Sequence, residues 1–130
     1  DFLYCPAECL EALGGLRFDL AVTIAAMQEM NAETVARYFR FLRGSLQPDH
    51  LFYCCGRERK TLYGGEESVF ERYPWEPDDR HLVDERCPWY RYVCSSRTWV
   101  EGLRFLGVRI PFVNYFGQPI RHRLSILATS

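Results

Sequence analysis

No apolar run in this sequence approaches the roughly 20 residues that span a bilayer, so a membrane helix is not expected. No basic segment precedes an apolar stretch at its start, so no secretory leader is expected either. Excess charge is missing as well. Sixteen basic and 17 acidic side chains leave a net charge of -1, which argues against a nucleic-acid surface. Histidine is scarce, and His50, His81 and His122 show no ligand spacing. Of six cysteines only Cys5 and Cys9 are a close pair, whereas structural zinc sites use two such pairs. Cys54 and Cys55 are adjacent, so on a strand they point to opposite faces and do not readily bond each other or share a metal. The cysteines therefore read as small buried hydrophobes in a reducing compartment, and the chain as cytoplasmic. Glycine-rich loops are absent: Gly14-Gly15 lacks the spacing and Gly64-Gly65 opens no helix. Without that fingerprint a nicotinamide-dependent oxidoreductase is disfavoured. The opening at Asp1, with no initiator methionine, suits a processed or fragmentary chain.

What is present is apolar. At 48% hydrophobic residues, 130 residues are enough for one domain with a real core. Phe18-Asp19-Leu20-Ala21-Val22-Thr23-Ile24 is nearly continuous in its apolar character, as a strand covered on both faces would be. Asn31 then stands as an N-cap with Glu33 in the first turn. Val35, Tyr38, Phe39, Leu42 and Leu46 follow at helical spacing, with Arg37, Arg40 and Arg43 offset. Pro48-Asp49 breaks that pattern, and His50 to Cys55 reads as a second short strand. Strand, helix and strand in this order predict a βαβ crossover with Phe18–Thr23 parallel to Leu51–Cys54.

The remaining segments are less regular. Phe2 to Tyr4 reads as extended, and Leu10 to Leu13 as a helical turn. Residues 57–97 are rich in Tyr, Trp, Pro, Arg and Asp with little period, and read as a long functional loop. Trp99, Leu103 and Leu106 predict a helix stopped by Gly107. Val108 to Tyr115 and Ile120 to Ala128 predict an antiparallel hairpin joined by a turn at Phe116–Pro119, with Ile120, His122, Leu124, Ile126 and Ala128 on one face.

This order, an α/β partial sheet of parallel strands with a crossover helix and an antiparallel C-terminal hairpin, resembles the C-terminal half of class I (Rossmann-like) S-adenosylmethionine-dependent methyltransferases. Those proteins carry a seven-stranded sheet whose last strand is antiparallel. Phe18-Asp19-Leu20-Ala21-Val22 resembles their fourth strand. Leu46-Gln47-Pro48-Asp49-His50 stands where they commonly have Leu-x-Pro-Gly-Gly, with Asp49-His50 in place of the glycines. Within the family, Ala26-Met27-Gln28-Glu29-Met30 and Tyr73-Pro74-Trp75 resemble segments of the sugar O-methyltransferases, with Ala and Met replacing a Ser and a Phe in the first. The resemblance runs from about Phe18 to Thr129. The glycine-rich loop that holds the cofactor lies in the family's other half, so S-adenosyl-L-methionine is expected only in a complete protein and this chain alone is expected to be inactive.

The resemblance implies an O-methyltransferase acting on a small-molecule or saccharide acceptor, with no nucleic-acid or membrane partner. Methyl transfer from a sulfonium to a hydroxyl needs alignment and removal of a proton, and the family's leaving group becomes neutral without a metal. Ligands of open α/β sheets sit at the carboxyl ends of the strands. Ala25 and Ala26 are small enough there to let a cofactor pass. Glu29 is the candidate base or substrate anchor, or simply a helix-start carboxylate facing the dipole. Gln28 and Arg57 are candidate acceptor contacts, or a solvated amide and a surface cation. Tyr73, Trp75, Asp78 and Asp79 suit a polyol, as ring faces and acceptors, or form a loop packed on the sheet. A noncatalytic remnant, or a module binding carbohydrate or protein, is the alternative. Because the family's fourth strand has the first on its other side, Phe18–Thr23 is expected to expose a free edge. Self-association there, or capture of Phe2–Tyr4, is the expected consequence.

Overall fold

A computed structural model describes residues 4–89, 104–109 and 119–128. Its main sheet contains β1 (Phe18–Ile24), β2 (Leu46–Arg57), β5 (Arg80–Arg86) and β8 (Ile120–Ile126), in the spatial order β1-β2-β8-β5. Two further hairpins stand apart: β3 (Arg59–Thr61) with β4 (Glu67–Val69), and β6 (Arg104–Phe105) with β7 (Val108–Arg109). No helix of the described residues is long and apolar enough to cross a membrane.

β1 and β2 are parallel, with Leu20 opposite Leu51 and Thr23 opposite Cys54. The helix between them, α1 (Ala32–Ser45), starts where the sequence signals it. The Asn31 side chain accepts from the Thr34 backbone N–H at 2.8 Å, satisfying one donor that the first turn leaves over. Val35, Phe39 and Leu42 turn inward from α1 and meet Phe52 and Cys54 of β2. Phe39 is the hub of this core, edge-on to Phe52 at 5.6 Å and to Trp75 at 4.9 Å. The result is an α/β fold with a crossover helix between parallel strands, broadly consistent with a Rossmann-type arrangement.

β8 departs from the expected hairpin. It runs antiparallel to β2 on one side and to β5 on the other. The partner is thus Arg80–Arg86, inside the segment read as loop, and not Val108–Tyr115. Val108–Arg109 instead pairs back onto Arg104–Phe105 across Leu106 and Gly107, both with positive φ (51° and 81°), the combination of a tight two-residue hairpin turn. That turn replaces the end of the expected Trp99–Leu106 helix. The rest of that helix, the remainder of Val108–Tyr115 and most of the Phe116–Pro119 turn lie outside the described residues, as do Phe2 and Leu3. Ala7–Leu13 forms a 3₁₀ segment beside the middle of α1, with Arg37 on Glu11 at 2.5 Å and Leu10 buried.

Two positions in the βαβ unit hold non-glycine residues in the left-handed region: Ala25 (φ 56°) and Asp49 (φ 63°). Ala25 ends β1, and its N–H donates to the Cys55 carbonyl at 2.7 Å, so its conformation is fixed by the sheet. An alanine in this region is disfavoured by about 1–2 kcal/mol. Ala25→Gly should therefore leave stability unchanged or raise it by up to about 1 kcal/mol, against the usual loss on introducing glycine. A lowered midpoint in urea unfolding of that variant would show that the conformation carries no strain.

Candidate functional site

The turn after β1 brings three of the sequence candidates together. Met27–Glu29 is a single 3₁₀ turn at the carboxyl end of β1, and β2 ends beside it at Arg57. Gln28 is buried. Its Oε1 accepts from the Arg57 backbone N–H at 2.7 Å, and its Nε2 donates to Glu29 at 3.1 Å. A Cβ at the neighbouring Gly56 would sit 3.4 Å from the Gln28 oxygen, in contact with it. Gln28 is thus a strut joining two strand ends, and its buried amide is satisfied from both sides.

Glu29 stands at the rim, with its side chain about half exposed (53%). The Lys60 ammonium of β3 pairs with its carboxylate. That bond, with the Gln28 amide second, holds the Glu29 carboxyl below the ordinary glutamate range. The carboxylate is consequently ionised and ready to accept a proton, but it is a weaker base than a free glutamate. Lys60 is a site residue that sequence reading missed. It lies three residues past Arg57 in an irregular stretch, and only the β3–β4 pairing turns it toward Glu29.

Ala26 lines a cavity of about 300 Å³ with Ala21, Thr23, Met27, Tyr38 and Phe41, among others. The cavity is mostly apolar and lies between β1 and α1. Ala25 does not line it. Tyr73 borders a second cavity, of about 410 Å³, between the first turns of α1 and β4, and its hydroxyl lies 3.3 Å from that of Ser68. Its ring is otherwise part of the core.

Trp75 is placed against its sugar-platform reading. Its Nε1 donates to the Phe70 carbonyl at 3.0 Å, and its ring lies between Phe39, Phe52 and Phe70 with the Arg123 guanidinium 4.6 Å from its centre. Asp79 is likewise structural, fully buried on the Arg43 guanidinium at 2.7 Å. Asp78 beside it is exposed, in the turn two residues ahead of β5. β5 and β2 are both antiparallel to β8, so β5 runs parallel to β2 and its start lies at the sheet end opposite Glu29 and Arg57. Asp78 therefore does not join that cluster.

The described cysteines carry free thiols, with Cys54, Cys55 and Cys87 buried but Cys9 exposed. Burial pushes the Cys54 thiol up to about 12, which leaves little thiolate for nucleophilic work at neutral pH. No group of three or more metal-ligating side chains gathers among the described residues. No family profile, curated protein or solved structure matches the chain.

Proposed function

We propose that the chain is the C-terminal part of a Rossmann-like methyltransferase domain, using S-adenosyl-L-methionine to methylate a hydroxyl of a small-molecule or sugar acceptor. The observation that carries this reading is the pairing scheme. A parallel β1–α1–β2 crossover is followed by a final strand antiparallel to its neighbours, and the Gln28–Glu29 turn stands at the carboxyl edge. Asp49 adds support, because its left-handed conformation falls where the family carries a glycine and where the sequence has departed from it. In such a site Gln28 and Arg57 would keep the two strand ends in register, and Glu29 would hold or remove the hydroxyl proton. Ala26 would border the cofactor. The cavity beside Ala26 is mostly apolar, with Thr23 and Tyr38 as its hydroxyl-bearing lining residues and no charged side chain to meet a carboxylate, so the residues present fit only the edge of such a cofactor.

Calorimetric titration of the 130-residue chain with S-adenosylmethionine is therefore expected to show no low-micromolar binding, an affinity that corresponds to roughly -8 kcal/mol. Adding the coding sequence upstream of Asp1 should restore it. Tight binding by the short chain would overturn the need for a second half, and no binding by the extended one would overturn the methyltransferase reading. A protein-binding module is the second reading. It is favoured by the exposed row of Leu20, Val22 and Ile24, whereas the packing of a half-buried Trp75 against the core weakens a carbohydrate-binding one.

A further inference from the structure

The cavity of about 410 Å³ between the first turns of α1 and the 67–74 segment is of a size that takes small ligands, for which pockets run from about 300 to 1,000 Å³. Ala32 and Ala36, one helical turn apart, form its shallow wall on α1, and Val69 and Pro74 stand on the facing segment. Its polar groups are few and not fully used. Ser68 and Tyr73 are 7% and 8% exposed, and their hydroxyls lie 3.3 Å apart. Burial pushes the Tyr73 phenol above its ordinary range, so it keeps its proton. Two hydroxyls in mutual contact use one proton between them, and the second O–H has no acceptor among the described residues. Arg72 also lines the cavity, is exposed, and has no ion pair or hydrogen bond among the described residues. The carboxylates around it are taken. Glu67 is held by Arg59 at 3.4 Å, Glu66 accepts from the Ala32 backbone N–H at 3.0 Å, and Glu71 is paired with Arg121 and Arg123.

We infer that this cavity binds a small aromatic carboxylate that carries a second oxygen. The two alanines leave a flat wall that suits a ring, and the Met30 thioether, also in the lining, adapts to a ring edge. The Arg72 guanidinium offers the carboxylate a two-pronged, charge-assisted contact. The spare O–H of the Ser68–Tyr73 pair donates to the ligand's other oxygen, which supplies an acceptor to a buried donor that lacks one. A neutral ligand of the same shape would gain the ring contacts and the hydroxyl bond but leave Arg72 to water. A bare inorganic anion would meet Arg72 and leave the apolar walls unfilled. The site does not rest on the methyltransferase reading, and it is measured without cofactor.

The probe is para-hydroxyphenylacetate, titrated into the isotopically labelled chain and followed by amide NMR shifts. Saturable binding is expected with a Kd on the order of 0.1–1 mM, and with the shifts centred on Ala32, Ala36, Ser68 and Tyr73. The uncharged para-hydroxyphenylacetamide should bind about tenfold more weakly, and phenylacetate, without the ring hydroxyl, about fivefold more weakly. Arg72→Gln alters an exposed side chain without partners, so the melting temperature should hold. In that variant the acid should lose about tenfold and the amide nothing, which erases the difference between them. Ala36→Leu puts a larger side chain into the cavity from a helix that tolerates leucine, and should abolish binding with the circular dichroism unchanged. No saturable binding up to ~10 mM, an amide as tight as the acid, or an Ala36→Leu chain that binds like the wild type would each overturn the assignment.

Discussion

Asp79→Asn is expected to destabilise the fold by about 3–5 kcal/mol, the cost of removing one partner from a buried ion pair. Arg43 on the last turn of α1 is 5% exposed and Asp79 is fully buried. Their contact is two-pronged, Nη1 to Oδ1 at 2.7 Å and Nη2 to Oδ2 at 2.9 Å, which a point cation could not reproduce. Arg43 also donates to the Pro74 and Ala128 carbonyls, and Asp79 accepts from the Glu76 and Ala128 backbone N–H groups. One pair thus ties the helix, the 74–79 loop and the end of β8 together. Asparagine keeps the volume but offers one acceptor oxygen and leaves the guanidinium only the more exposed Glu76 carboxylate, 3.1 Å from its Nε, as counter-charge. Burial alone would raise the Asp79 carboxyl; the guanidinium and the two backbone donors outweigh it and hold the group below its ordinary range. A depressed carboxyl contributes stability above its unfolded pKa and loses it as pH falls through the folded value. The difference between wild type and Asp79→Asn in urea unfolding should therefore be full at pH 7 and shrink on acidification below pH ~4. A constant difference across that range would mean that charge is not what the variant removes.

The same network shows what the sequence made legible and what it hid. The Asn31 cap, the spacing from Val35 to Leu42 and the apolar runs at Phe18 and Leu51 are local signals, and the parallel βαβ unit followed from them. β5 carried no such signal. Arg80-His81-Leu82-Val83-Asp84-Glu85-Arg86 reads as a solvated loop because its charges are neutralised by another strand. Asp84 takes bonds from Arg121 at 2.7 Å and Arg123 at 2.6 Å. β8 is hidden in a similar way. Its period of two is plain, yet Arg123 and Ser125 are buried on the α1 side while His122, Leu124 and Ile126 on the other face are only half-buried. Arg123 is accommodated because Trp75 and Phe70 cover its guanidinium and Asp84 and Glu71 balance it. Long-range pairing of this kind cannot be seen in a window of neighbouring residues. It also accounts for part of the aromatic segment, since the half-buried Trp75 ring packs against Arg123 and the core. Gln28, Glu29 and Arg57 could be grouped in advance because all three follow directly from the ends of β1 and β2. Lys60 could not, for its approach depends on a three-residue hairpin.

In the protein that carries the cofactor loop, Glu29→Gln is expected to lower turnover by about 10²–10⁴-fold, the usual contribution of a positioned base. Folding should hardly notice the change, since a half-exposed Glu29–Lys60 pair contributes at most about 1 kcal/mol. Gln28 keeps its bond to the Arg57 N–H in the variant, so the strand ends stay joined. Lys60 provides the sharper readout. It lowers the Glu29 carboxyl, so a rate that depends on the ionised form should persist as pH falls and decline only below the ordinary glutamate range. Lys60→Met removes the cation, lets the carboxyl rise, and should move the acidic fall of kcat toward higher pH. The same variant should make the base stronger and the plateau no lower. A carboxylate that merely anchored Lys60 would give neither effect: Glu29→Gln would leave turnover within about twofold, and the acidic limb would stay in place when Lys60 is removed.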